Sequence, residues 1–195
     1  ECDLGKDLGQ IEIERLNAIA ARAGIVQQVY IRLTVGVEAH THDFMATAHE
    51  DQKFGLSVAN GVAMAAVDAV MAADALSLAG LHSHIGSQIF DASGFEAATH
   101  RVIEFAAAIF ERHAIHVSEL DVGGGMGIAY VDGDDPLDVA HMAKAILDIV
   151  RTECHRVHMP IPRLAVEPGR AIIGAAGITV YEVGTIKPVA VDSGD

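Results

Sequence analysis

Cysteine is nearly absent: Cys2 and Cys154 are the only two in 195 residues. So far apart, they form neither a zinc-ligand pattern nor a disulfide framework, and they fit a reducing compartment better than an oxidising one. Long apolar runs are missing too, since no uninterrupted stretch approaches the roughly 20 residues a membrane span requires. The opening ECDLGKD lacks the charged-then-apolar order of a secretory signal. Cations are scarce, 13 Lys+Arg against 27 Asp+Glu, and the net charge of −14 disfavours nucleic acid and anionic membrane as partners. Any anionic ligand must then be held by local devices. No Ser/Pro-rich linker, low-complexity run or close internal repeat divides the chain. The remainder, 51% hydrophobic residues with 19 glycines, excludes disorder and collagen and leaves a soluble, cytosolic α/β protein able to bury a sizeable core.

The patterning alternates strand and helix. Ile13, Leu16, Ile19 and Ala23 form a helical stripe over residues 11–23, with Gly24 as its C-terminal cap. VYIRLTV (29–35) reads as a strand, residues 61–73 as a helix, and LSLAGLHSHIG (76–86) as a strand ending in glycine. Phe95, Ala98, Val102, Phe105 and Ile109 step by threes and fours along the clearest helix. VSELDVGGG (117–125) is a strand running into glycines, Asp135-Pro136 starts a further helix, RLAVEPGR (163–170) is a strand, and ITVYEVGTI (178–186) alternates as a strand on a solvated face or in a second domain. Strand-then-helix units imply parallel strands, in a barrel or an open doubly wound sheet, with chemistry at the C-terminal strand ends. Four barrel-type strands are half of the eight that a closed barrel of roughly 250 residues needs. The start and stop of the chain read as cuts through a longer protein.

Alternation sorts these strands by face. Ile31, Leu33, Val35, Leu81, Ile85, Leu120, Val122, Leu164 and Val166 are expected beneath the helices, and Arg32, His82, His84, Asp121 and Glu167 on the opposite face. Five polar groups on one interior demand either a ligand or a buried network.

The motifs lie at the same strand ends. GGGMG, Gly123–Gly127, lets backbone N–H groups approach a phosphate, although glycine-rich turns are common and the spacing matches no standard nucleotide fingerprint. EPGR, Glu167–Arg170, couples a strand carboxylate to a turn and a guanidinium, or is a tight turn with a surface arginine. His82 and His84 lack an evident third ligand, so no metal is expected. His100, His113, His116, His141, His155 and His158 read as solvated, and His40, His42 and His49 as a loop over the site. Lys53, in that loop, is nearer to the strand ends than Lys6, Lys144 or Lys187.

GLHSHIGSQ, LDVGGGMGIAY and AVEPGR, in that order and at those intervals, together with RLTVGVEAHTH and DQKFGLS, resemble the fold III pyridoxal-phosphate-dependent decarboxylases, which share an alanine-racemase-like barrel. The resemblance covers essentially the whole chain. It implies an α/β fold, part of a (β/α)8 TIM-type barrel (about strands five to eight, residues 1–176), followed by the start of a β-rich second domain, residues 177–195. It implies pyridoxal 5'-phosphate as cofactor, a small amino acid as substrate and a homodimer when intact. HSHIGSQ leans to meso-2,6-diaminopimelate, decarboxylated to L-lysine and CO2, over ornithine or arginine; a non-catalytic cofactor-binding homologue is the rival of another kind.

By the same resemblance, His84 stacks on the cofactor ring and Glu167 pairs with its pyridine nitrogen, where a racemase of this fold holds an arginine. Ser87, Gly123, Gly124, Gly125, Pro168, Gly169 and Arg170 cradle the phosphate, and Arg170 additionally contacts the substrate's distal carboxylate. Arg32, His82 and Asp121 stand behind these groups. The Schiff-base lysine is expected before Glu1, and the partner-reaching cysteine loop beyond Asp195, so the chain alone is expected to be inactive and poorly stable.

Overall fold

In a computed structural model, residues 8–37, 54–136 and 138–188 are described. Cys2, Lys6, His40, His42, His49 and Lys53 lie outside them. Five strands, β1 (Gln27–Thr34), β2 (Leu56–Ser57), β3 (Leu76–Ser83), β4 (Glu119–Asp121) and β5 (Arg163–Ala165), form one parallel sheet in the order β2-β1-β3-β4-β5. The helices are α1 (Leu8–Ala23), α2 (Val62–Met71), α3 (Ser93–His113), α4 (Val139–Arg156) and the five-residue α5 (Gly169–Ile173).

Local chemistry sets the helix ends. Gly24, at φ 68°, closes α1: its N–H returns to the Ala21 carbonyl and that of Ile25 to Ala20, both at 3.1 Å. The helix expected from Asp135-Pro136 begins later. Asp138 caps α4, accepting from the N–H groups of Ala140 (3.0 Å) and His141 (3.3 Å), which satisfies two otherwise orphaned donors. At its other end His158 takes the left-handed φ of 56°, and the Met159 N–H bonds the Cys154 carbonyl at 2.9 Å.

The core lies between one face of the sheet and the helices. Ile31, Leu33, Leu81, Leu120 and Val122 are buried against Val67 and Val70 of α2, Phe95, Val102 and Ile103 of α3, and Ile146 and Val150 of α4. Each such side chain contributes about 1.5–3 kcal/mol on leaving water. On the edge strand the same sorting fails: Val166 lies past the end of β5 and is 43% exposed. In α1, Ala20 rather than Ile19 is the buried residue.

Three further expectations change. The strands stop short of their glycines, so HIGS and GGGMG are loops beyond β3 and β4, and EPGR runs from the loop beyond β5 into the first turn of α5. Residues 178–186 form no strand; they run irregular and exposed, because no partner strand among the described residues takes up their backbone groups. Three of the histidines read as solvated stand beside carboxylates: His113 Nε2 meets Asp68 Oδ1 at 2.9 Å with its side chain 18% exposed, His100 Nδ1 meets Glu153 Oε2 at 2.9 Å, and the exposed His141 Nδ1 lies 3.4 Å from Asp138 Oδ2. Among the described residues no helix is long and apolar enough to cross a membrane.

Candidate active site

The face of the sheet away from the core helices is polar, and strand register stacks its side chains in rows. Tyr30 pairs with Gly80, Gly80 with Glu119, and Glu119 with Arg163. Gly80 carries no side chain, and a Cβ there would lie 2.5 Å from the Tyr30 ring. The ring therefore crosses β3 and donates its hydroxyl to the Glu119 carboxylate, which also receives the Arg163 guanidinium. The Tyr30 hydrogen bond, helped by Arg163, holds the Glu119 carboxyl below its ordinary range, and the same bond pushes the Tyr30 phenol up. This row was missed in the sequence, although the same alternation that selected Arg32 and Asp121 also places Tyr30 and Glu119 on that face.

The next row is Arg32, His82, Asp121 and Ala165. Arg32 lies over the Phe54 ring, Cζ 5.2 Å from its centroid. His82, Asp121 and Glu167 converge, each offering one ligand-type atom within 4.8 Å of the others. His82 Nε2 is 3.6 Å from Glu167 Oε2 and has no hydrogen-bond partner although the atom is buried. Asp121 Oδ1 accepts the Gly123 N–H at 2.8 Å, which ties the carboxylate to the start of the glycine run. The third ligand set not evident in the sequence is thus two carboxylates beside His82, brought together by β4 and β5.

Above them stands His84. Burial pushes its pKa down, and the neighbouring Arg32 and His82 add to this against the opposing pull of Glu167 and Asp121. The Gly124 N–H points at Nδ1 at 3.4 Å, which makes Nδ1 the acceptor and leaves the proton of the neutral ring on Nε2.

The glycines bring three loops flush. Gly123 (φ 74°) would place a Cβ 2.5 Å from the Ser83 carbonyl oxygen, and Gly125 (φ 97°) 2.2 Å from that of Gly86. At Gly124 a Cβ would meet the Glu167 carbonyl oxygen at 2.2 Å. Backbone bonds lock the contact: Glu167 N–H to Gly123 O (2.8 Å) and Ile89 N–H to Gly125 O (2.9 Å). The space a side chain would need is taken by neighbouring backbone. The N–H of Gly125 joins none of these backbone pairings among the described residues.

Ser87 follows Gly86 in the same loop, and Pro168 and Gly169 open α5. Arg170, on α5, reaches back to Gln88 Oε1 at 3.2 Å, and its Cζ lies 5.7 Å from the centre of the Tyr130 ring. Gln88 was quoted within its motif but given no role; its left-handed φ of 58° is the structural signal. Among the described lysines, Lys144 pairs with Asp148 on α4, away from this face, and Lys187 lies in the exposed stretch after residue 177.

Residues 9–174 match the family described as pyridoxal-dependent decarboxylase, pyridoxal binding domain. The chain is 58% identical over 186 residues to the diaminopimelate decarboxylase of Mycobacterium tuberculosis, covering 93% of this chain and 42% of that protein. It is 59% identical to the diaminopimelate decarboxylase of Mycobacterium leprae, covering 93% of this chain and 39% of that protein. Among solved structures, diaminopimelate decarboxylase from M. jannaschii in co-complex with L-lysine superposes with a TM-score of 0.73 at 30% identity, over 84% of this chain and 37% of that one. The chain therefore spans about two-fifths of the length of the relatives it matches.

Proposed function

The chain belongs to the pyridoxal-dependent decarboxylases, and from that premise we propose that the protein converts meso-2,6-diaminopimelate to L-lysine and CO2 with pyridoxal 5'-phosphate. The observation that carries this reading is the convergence of His82, Asp121 and Glu167 beneath a neutral His84 at the C-terminal ends of parallel strands. The residues fit the cofactor. An orphaned, buried Nε2 on His82 stands beside a carboxylate open to a ligand, and the Gly125 N–H of the glycine loop joins none of the backbone pairings among the described residues.

Bound here, pyridoxal phosphate supplies a conjugated ring that takes up the electron pair left when CO2 departs. Glu167 holds a proton on the ring nitrogen, which strengthens that electron sink. His84, neutral and partly buried, would pack against the ring without adding charge. Ser87, Gly123, Gly124, Gly125 and the Pro168–Arg170 turn take the phosphate. Arg170 takes the distal carboxylate of the substrate, and Arg32, His82 and Asp121 brace the acid and the imidazole. No metal is assigned; the His82 cluster serves the ring.

The parallel sheet is read as part of a (β/α)8 barrel. A groove of about 580 Å³ beside β1, lined by Ile13, Leu16, Tyr30, Arg32 and Phe54, supports further strands on that side, where β2 pairs through only two residues. Residues 177–195 are read as the start of a second, β-rich domain. The exposed Ile178, Val180, Tyr181, Val183 and Ile186 support this, since so many apolar side chains in one extended stretch need a partner surface. A homodimer and a cytoplasmic location complete the proposal.

The test is product analysis of the full-length protein given pyridoxal phosphate and, separately, meso-diaminopimelate, ornithine and arginine. Lysine and CO2 from the first alone are expected. Putrescine from ornithine or agmatine from arginine would transfer the reading to those substrates, and cofactor binding without any product would make the protein a non-catalytic member.

A further inference from the structure

The loops after β3, β4 and β5 are joined by one side chain. Gln88 Nε2 donates to the Ile128 carbonyl at 2.9 Å, while Oε1 accepts from the Ile128 N–H at 3.1 Å and from Arg170 Nη1 at 3.2 Å. The side-chain amide thus pairs with the Ile128 peptide as a neighbouring strand would, and its oxygen uses both lone pairs. Only one amide orientation is consistent with this. The reverse would turn the NH2 group toward both a backbone N–H and a cation. The backbone of Gln88 takes a left-handed φ of 58°, a conformation that costs a non-glycine residue energy and persists where surrounding structure enforces it.

Arg170 is confined by the same junction. Its stem runs beside Gly174, where a Cβ would meet Arg170 Cγ at 3.1 Å, and its head lies between Gln88 and the Tyr130 ring. Among the described residues Gln88 is its sole hydrogen-bond acceptor. A guanidinium has five N–H donors in a rigid fork, so holding one on a fixed amide oxygen aims the others.

We infer that Gln88 is a positioning residue for substrate selection: it aims the Arg170 guanidinium and so sets the preference for an amino acid bearing a second, distal carboxylate. The inference rests on the proposed reading of Arg170 as the group that takes that carboxylate. Aligning the fork before substrate arrives lowers the cost of ordering it on binding.

The experiment compares full-length wild type, Gln88→Ala, Gln88→Glu, Arg170→Ala and the Gln88→Ala/Arg170→Ala double variant, all loaded with pyridoxal phosphate. It reads KM and kcat for meso-diaminopimelate, the inhibition constants of L-lysine, which keeps the distal carboxylate, and of 1,5-diaminopentane, which lacks it, the cofactor absorbance and the thermal midpoint. Gln88→Ala should raise KM for diaminopimelate and the inhibition constant of lysine about 10-fold, with kcat, diaminopentane inhibition and absorbance nearly unchanged. The double variant should be no worse than Arg170→Ala. Gln88→Glu keeps both acceptor contacts but sets a carboxylate against the guanidinium, so it should raise KM more than Gln88→Ala; it carries the test if the alanine variant fails to fold. Equal weakening of diaminopimelate and 1,5-diaminopentane, or additive losses in the double variant, would reduce Gln88 to a structural residue and overturn the inference. A raised KM in Arg170→Ala with Gln88→Ala and Gln88→Glu both unaltered would overturn the inference alone. An unchanged KM in Arg170→Ala would overturn the reading of Arg170, and the inference with it.

Discussion

His82 presents Nε2 to the Glu167 carboxylate at 3.6 Å across the intervening strand β4, and that nitrogen is buried without a hydrogen-bond partner. A polar atom kept so close to a carboxylate, yet beyond bonding distance, leaves the acid available to a third group.

Glu167→Gln keeps the shape of the side chain and removes its charge. If the acid holds a proton on the ring nitrogen, kcat should fall about 10²- to 10³-fold, while the thermal midpoint stays near wild type. Steady-state kinetics on the cofactor-loaded, full-length protein measure this. Retention of wild-type kcat would remove Glu167 from the chemistry.

The glycines of the loop after β4 should be intolerant in proportion to what their missing Cβ would strike. Gly125→Ala meets the Gly86 carbonyl at 2.2 Å and a left-handed φ of 97°, so a loss of about 2–4 kcal/mol is expected. Gly169→Ala meets nothing within 4 Å and should be near neutral. Urea denaturation of the two variants side by side tests the contrast; equal stability would mean that the three loops are not packed as described.

The Tyr30–Glu119–Arg163 row should mark the acid limb of stability. Glu119 is held below its ordinary value of 4.5, chiefly by the Tyr30 hydroxyl. Its contribution is present above that value and is lost as pH falls through the lower, folded one. Tyr30→Phe removes the largest cause, so unfolding midpoints should fall relative to wild type at pH 6 and converge with it under strong acid. A constant difference across that range would show that Glu119 is not linked to Tyr30.

His84 titrates in the opposite sense to a stabilised cation. Its pKa is lowered from 6.5, so below that pH the unfolded chain binds a proton that the fold resists, and stability falls as pH drops toward the folded value. A proton-detected titration of His84 should give a midpoint below 6.5. Arg32→Gln should move it upward by removing a positive neighbour. A midpoint above 6.5 in the wild type would contradict a neutral imidazole in the site.

Much of the site was legible because strand alternation is a local property. Arg32, His82, Asp121 and Glu167 fall on one face once their strands are recognised, and the structure places them there. Gln88 was not legible as a junction, since its partners Ile128 and Arg170 lie on two other loops and nothing local pairs a side-chain amide with a distant peptide. The Asp138 cap was misplaced to Asp135-Pro136 because both are plausible helix starts, and only the backbone donors of Ala140 and His141 choose between them.

By itself the sequence determined the alternation of strand and helix, the polar composition of one sheet face, and the family whose motifs it carries, because side-chain periodicity and short motifs are written in neighbouring residues. Tertiary structure decided where the strands stop and which loops touch. It also decided that glycines at the strand ends make room for each other's backbones, and that His84 is neutral while His82 faces Glu167. Those outcomes depend on burial, register and the electric field of residues far apart in the chain, which exist only once the sheet has brought them together.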